Sequence, residues 1–290
     1  MKKISYIVVL GMSFMALLSS CVGDPLEGEQ YFKQVYLVGA NDKLQKKEVA
    51  YKDGDRSELF VSVAVSGSAK TEEDVQVSLE LAHQVNIDNY NRKNVVGDAT
   101  PYEALPTNIY ELSTWNCTIK AGEQYVRVPI SVESAQIDCD KRYVIPLKVK
   151  EASVKLAADT VLLVSLKMIN NFSGTYMVSG KYMPYDDQGN LMENAPSTIK
   201  TERTFTATAP NTIRLYHQAL GETKNNLATS ALTFTVNPDN TVKVETWQDF
   251  SITDGGGTYN PTTKTFTVWY DYTENGKKYK MELSAEKQNL

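Results

Sequence analysis

The sequence predicts an all-β protein of two domains: an N-terminal immunoglobulin-like β-sandwich, then a second antiparallel β domain that is a small, lipocalin-like barrel or another sandwich. Three observations predict it. Apolar residues recur with a period of two from Val35 onward, as in strands buried on one face. Turn signals interrupt these runs at regular intervals. No long stretch carries the 3.6-residue apolar spacing of an amphipathic helix.

The elements follow in order. Residues 31–170 form the first domain. Leu59–Val65 is a strand closed by Ser66-Gly67-Ser68. Val75, Val77, Leu79 and Leu81 alternate with polar residues, a half-buried strand. Ile87–Asn94 reads as one short helix. Thr114–Lys120 and Gln124–Val132 flank Ala121-Gly122-Glu123, which reads as a hairpin. With Tyr143–Val149 and Val161–Met168 the set reaches about eight short strands, the density of a sandwich.

Residues 171–290 form the second domain, richer in Thr, Tyr and Asn. Its strand candidates are Thr175–Ser179, Thr201–Thr208, Thr212–His217, Leu232–Val236, Thr241–Trp247, Lys264–Tyr272 and Lys278–Leu283. Pro238-Asp239-Asn240 and Asn275-Gly276 are turns, and Asp254-Gly255-Gly256-Gly257 reads as a loop between strands.

The N-terminus carries an address. Lys2 and Lys3 precede an uncharged apolar run, Ile4–Leu18. That run is shorter than the roughly 20 residues of a membrane-spanning helix and matches a signal-peptide core. Leu18-Ser19-Ser20-Cys21 resembles the bacterial lipobox. The resemblance implies that residues 1–20 are a signal peptide and that Cys21 starts the mature chain and carries acyl chains. Several such chains hold a protein on a bilayer more firmly than one. The competing expectation is an ordinary signal peptide with an incidental cysteine. Residues 21–30, acidic with Gly and Pro, then form a tether. Membrane contact is expected through the lipid anchor only.

Composition narrows function. The formal net charge is −5 with no basic block, which argues against nucleic acid and anionic lipid as partners. An exported protein can form a disulfide, so Cys117 and Cys139 are either a pair or two separate buried thiols. Their spacing fits neither CxxC nor a zinc site. His83 and His217 are the only histidines, and no G-x-S-x-G elbow accompanies them. His217 reads as a sheet-face residue. No phosphate loop is present. Tyr185–Asn190 has the flavour of a calcium loop, but lacks the alternating acids and the distant Glu, and reads as a solvated turn. No catalytic residue, metal or cofactor is expected.

Aromatic residues carry the binding expectation. On Thr241–Trp247, Val242 and Val244 share one face, while Lys243, Glu245 and Trp247 share the other. On Thr265–Tyr270, Trp269 shares a face with Thr265 and Thr267. Both tryptophans thus fall on polar faces. Pairing of the two strands about Gly257–Thr258 would set Trp247 opposite Trp269. Sugars suit such faces, because pyranose C–H surfaces bury against indole while hydroxyls find polar partners. Tyr182 and Tyr185 are weaker candidates for the same site. The competing expectation is that both tryptophans pack beneath a neighbouring loop or domain.

Leu105-Pro106, Tyr110, Ile119-Lys120-Ala121-Gly122-Glu123 and Asp140-Lys141-Arg142-Tyr143-Val144-Ile145-Pro146-Leu147 resemble an N-terminal domain of Bacteroidetes polysaccharide-utilisation surface lipoproteins. That domain also precedes some family-18 endoglycosidases. Phe172-Ser173-Gly174-Thr175-Tyr176, Trp269-Tyr270-Asp271-Tyr272 and Asn275-Gly276-Lys277-Lys278-Tyr279 resemble the domain of unknown function that often follows it. The resemblance implies an outer-membrane surface lipoprotein working beside a TonB-dependent importer and its binding-protein partner. It supplies no catalytic residues. Endoglycosidase relatives append a barrel of about 250 residues. Here about 120 residues follow the first domain, without a D-x-x-D-x-D-x-E stretch. The expectation is a non-catalytic glycan-binding lipoprotein. The alternative is a structural or adhesive subunit that contacts partner proteins and no sugar.

Overall fold

The computed structural model describes residues 31–288 except Asp53, Asp98 and Ala195. The expected signal peptide, Cys21 and tether lie outside the described residues.

The first domain contains strands β1 (Gln34–Leu37), β2 (Leu44–Ala50), β3 (Ser57–Ser66), β4 (Val75–Leu81), β5 (Tyr102–Ala104), β6 (Tyr110–Leu112), β7 (Asn116–Ile119), β8 (Tyr125–Val132), β9 (Arg142–Ala152), β10 (Lys155–Leu156) and β11 (Val161–Ile169). One sheet runs β10-β1-β3-β8-β6; the other runs β2-β11-β9-β4-β7, with β5 also on β9. Alternating inward residues such as Val61, Val63, Val128, Ile130, Ile145 and Leu147 fill the space between the sheets. Helix α1 (Gln84–Asn94) covers the outer face of the second sheet, burying Ile87 against Tyr102, Val144 and Leu163.

Two features of this domain differ from expectation. Most pairs are antiparallel, but β1 with β10, β2 with β11 and β5 with β9 run parallel. The Ala121–Glu123 turn does not join a hairpin. It carries the chain from β7, which pairs with β4, to β8, which pairs with β3 in the other sheet. Gly122 takes φ +81° there and donates its N–H to the Thr71 carbonyl, 2.8 Å away. Local turn chemistry marks a reversal without saying which sheet receives the next strand. The lysine-rich β2 has no clean alternation, as befits an edge strand.

The second domain is a closed up-and-down barrel of eight strands: β12 (Gly174–Pro184), β13 (Ser197–Ala209), β14 (Thr212–Tyr216), β15 (Ala231–Val236), β16 (Thr241–Thr246), β17 (Ile252–Asn260), β18 (Thr265–Glu274) and β19 (Lys277–Lys287). Each pairs with its neighbour, and β19 closes on β12. A short helix, α2 (Lys224–Ser230), lies between β14 and β15. Eight strands leave an interior just wide enough for side chains, and aromatic rings fill it. Tyr176 stacks on Phe205 with centroids 4.1 Å apart, and Phe234, Phe266, Tyr270 and Tyr272 are buried beside them. At one end Arg203 donates to the carbonyls of Gln218 (2.8 Å from Nε) and Leu220 (2.7 Å), pinning the 218–222 loop over the barrel mouth.

The glycine-rich stretch expected to be a loop is the middle of β17. Gly257 lies so close to β18 that an added Cβ would sit 2.2 Å from the Thr267 carbonyl oxygen. A strand whose side chains are missing for reasons of space shows no period-two pattern to read.

At the junction, the Asn170 amide donates to the carbonyls of Ala209 (2.7 Å) and Thr212 (2.9 Å). Arg214 on β14, buried, pairs with Asp140 of the sandwich.

Candidate ligand-binding face

The insertion of β17 decides the geometry of the aromatic candidates. Strand β16 pairs with β17, and β17 pairs with β18, so Trp269 lies opposite Gly256 and Glu282. The expected Trp247–Trp269 pair does not form. Trp247 follows the end of β16, and its ring lies 5.1 Å from the Arg214 guanidinium. Strands β14 and β18 are four apart in either direction around the eight-stranded barrel, so Arg214 and Trp269 are on opposite sides. Trp247 is half-buried beside Arg214, which pairs with Asp140 of the sandwich, and its Nε1 is buried without a hydrogen-bond partner among the described residues. Tyr182 lies in the row of Tyr270 and Met281, faces the barrel core, and meets Tyr279 edge-on at 6.2 Å.

Trp269 and Tyr185 do come to one face, the outer surface of β17, β18, β19 and β12. The first row is Gly256, Trp269, Glu282 and Lys181. The next holds Asp254, Asp271, Lys280 and Met183. Trp269 is half-buried at the side of a groove of about 600 Å³ lined also by Lys181, Thr198, Thr267, Lys280 and Glu282. Gly256 beside it leaves the indole uncovered on that side. Lys280 Nζ stands 4.9 Å from the indole centroid, and Lys181 Nζ lies 3.2 Å from Glu282. The Lys280 side chain is long and flexible, so its ammonium can leave the indole face at small cost.

In the row next to Trp269, Asp271 is 7% exposed, yet a hydroxyl and an ammonium meet its carboxylate. The Tyr185 hydroxyl donates to its carboxylate at 3.0 Å, and Lys278 Nζ lies 2.9 Å away. Lys278 also stands 4.6 Å over the Tyr185 ring. Burial first, then the Asp271 carboxylate that its proton bonds, pushes the Tyr185 phenol up to about 12. Tyr185 is thus held protonated as a donor to Asp271. Asp271, Lys278, Lys280 and Glu282 were not among the sequence candidates. The signal was available: they share the outward parity of Trp269 on β18 and of its partner strand.

The Tyr185–Asn190 turn closes on itself. Asp186 accepts from the backbone N–H groups of Asn190 (2.7 Å) and Gln188 (3.0 Å), and these bonds hold its carboxyl below the usual range. Cys117 and Cys139 are free thiols. Cys117 is in the sandwich core, while Cys139 faces Arg214 at the junction, and burial pushes its thiol up to about 11. His217 is inside the barrel end, its Nδ1 2.8 Å from the Tyr270 hydroxyl.

This architecture is shared. The profile of an N-terminal domain family matches residues 31–156, and that of a C-terminal domain family matches residues 160–286. The chain belongs to the two-domain family that these modules define. A Bacteroides ovatus multidomain protein that includes DUF1735 superposes with a TM-score of 0.64 at 19% identity, over 84% of this chain and 90% of its own. A second Bacteroides ovatus protein, of unknown function, gives 0.67 at 18% identity over 87% and 94%. An auxiliary nutrient binding protein of Bacteroides thetaiotaomicron gives 0.62 at 16%, over 85% and 91%. At such identities the likeness is one of fold. A search of curated proteins finds no match.

Proposed function

We propose that this chain is a non-catalytic, lipid-anchored outer-membrane protein that binds glycan at the outer face of its barrel for a polysaccharide-utilisation system. The observation that carries it is Trp269, a half-buried indole on an outward row otherwise made of Gly256, Glu282 and Lys181. An indole flanked by charged and hydroxyl groups offers a sugar both an apolar platform and hydrogen-bond partners. The resemblance of the fold to an auxiliary nutrient binding protein supports a role in capture. The lipobox-like Leu18–Cys21 supports the anchor and the signal peptide. A TonB-dependent importer and its binding-protein partner are the machinery such a protein would serve.

The test is binding of purified polysaccharides to the wild type and to Trp269→Ala by affinity electrophoresis and calorimetry. Loss of the indole should weaken binding about tenfold, the value of one buried aromatic contact. Unchanged affinity would remove this face from the site.

One observation favours the alternative, a subunit that contacts partner proteins. On the outer face of the first sheet, Phe60 and Tyr125 are 41% and 49% exposed, with the Arg127 guanidinium 4.5 Å from the Phe60 centroid. Recovery of an importer by pull-down, with no retention by any polysaccharide, would establish that reading in place of the first.

A further inference from the structure

A second cavity lies between the domains. Its volume is about 500 Å³, within the size range of ligand sites, and domain interfaces are where such sites concentrate. Strands β2, β9 and β11 form one wall, and β12, β13 and the end of β19 form the other. Its charge is opposite to that of the protein. The chain carries a net −5, yet five cations line this cleft (Lys46, Lys141, Arg142, Lys167 and Lys287) against two carboxylates, Glu48 and Asp138.

Local pairing does not remove the excess. Lys167 is matched by Glu48 at 3.0 Å and Lys141 by Glu103 at 3.0 Å. Lys46, Arg142 and Lys287 have no carboxylate partner among the described residues. They differ in mobility. Arg142 is fixed: it donates to the Thr100 carbonyl at 3.0 Å and to the Tyr102 hydroxyl, and lies 3.9 Å from the Tyr102 ring centroid. Lys287, half-buried at the end of β19, reaches the Asn171 carbonyl, 3.4 Å away, and lies 5.9 Å from the Tyr176 ring centroid, with no anionic group at its ammonium among the described residues. Lys46 is exposed on β2. Thr175, Thr204 and Thr206 bring hydroxyls from the barrel side. Cations in a cleft with low-dielectric walls focus the field on whatever enters, and unpaired ones there favour an anion.

We infer that this interdomain cleft binds an acidic sugar of the uronate type, its carboxylate received by Lys46, Arg142 and Lys287. Burial, and the neighbouring Lys264, hold the Lys287 ammonium below its usual range, the state a bound carboxylate relieves. The anion preference rests on the cleft itself. The assignment of the anion to a sugar rests on the glycan-binding reading above, although the two sites are separate. One is an outer barrel groove around Trp269, the other a seam between domains.

Calorimetry with trigalacturonate, galactotriose and inorganic sulfate separates the possibilities. The proteins are the wild type, Lys46→Glu with Lys287→Glu, the milder Lys46→Gln with Lys287→Gln, and Trp269→Ala. Thermal melts confirm that each is folded. Trigalacturonate should bind the wild type with an affinity that falls as salt rises. It should weaken at least tenfold in the glutamate variant, by less in the glutamine variant, and not at all in Trp269→Ala. Galactotriose should show no dependence on Lys46 or Lys287. The inference is overturned if trigalacturonate does not bind, if sulfate binds in its place, or if the charge-reversed protein binds as well as the wild type. Loss of trigalacturonate binding in Trp269→Ala would also overturn it, by placing the ligand on the barrel face. Failure of every neutral glycan with trigalacturonate retained would reject the Trp269 site and keep the cleft.

Discussion

His217 gives the most quantitative test of the barrel. The imidazole is 1% exposed, lies between Phe250 and Tyr272 (centroids 4.8 and 4.4 Å), and shares a hydrogen bond with Tyr270. Burial, with the nearby Arg203 cation, lowers its pKa to about 3. The folded value lies below the unfolded one, near 6.5, so the unfolded chain takes up the extra proton on acidification. Stability is therefore full above about pH 6.5 and is lost as the pH falls toward 3. At pH 4.5 the unfolded imidazole is protonated and the folded one is not, which costs roughly 2.5 kcal/mol relative to pH 7. Carboxylates titrate in the same range, so the measured quantity is a difference between proteins. Urea unfolding at pH 7 and pH 4.5 is compared for the wild type and His217→Asn. The signal is Trp247 and Trp269 fluorescence in a Trp115→Phe background, Trp115 being in the sandwich. The wild type should lose about 2.5 kcal/mol more than the variant between the two pH values. Equal losses would refute the sealed, neutral imidazole.

Four further outcomes follow from the same geometry. Gly257→Val should destabilise the barrel by about 1–3 kcal/mol in chemical denaturation, because its Cβ meets the backbone of β18. Asp271→Asn should return the Tyr185 phenol from about 12 toward 10 in an ultraviolet difference titration, since part of its elevation comes from that carboxylate. Asp140→Ala should cost about 3 kcal/mol, seen as a lower melting temperature, because it leaves the buried Arg214 without its partner. Trp247→Ala should lower stability without changing polysaccharide affinity, the converse of Trp269→Ala, because its ring serves the Arg214 junction.

How far the sequence could be read depended on whether a residue's meaning was local. Strands with clean alternation, such as Val75–Leu81 and Thr265–Tyr270, were legible, since burial on one face writes itself into the period. So was the outward parity of Trp269. The partner of that tryptophan was not. It depended on whether Ile252–Asn260 was loop or strand, and glycines selected for close approach carry no period. Tyr185 was a candidate for its proximity to a turn, and its donor role came from Asp271, 86 residues away.

The sequence by itself determined the all-β class, the two-domain division and the outward face of Trp269. Each is set by patterns that recur within single strands and the turns between them. Tertiary structure alone decided the sheet to which each strand belongs, the closure of β19 onto β12, and the separation of Trp247 from Trp269. It also decided the charge of the interdomain cleft, assembled from Lys46, Arg142 and Lys287. Those are long-range facts. Side chains brought together from distant strands impose no pattern on any one segment, so only the folded chain records them.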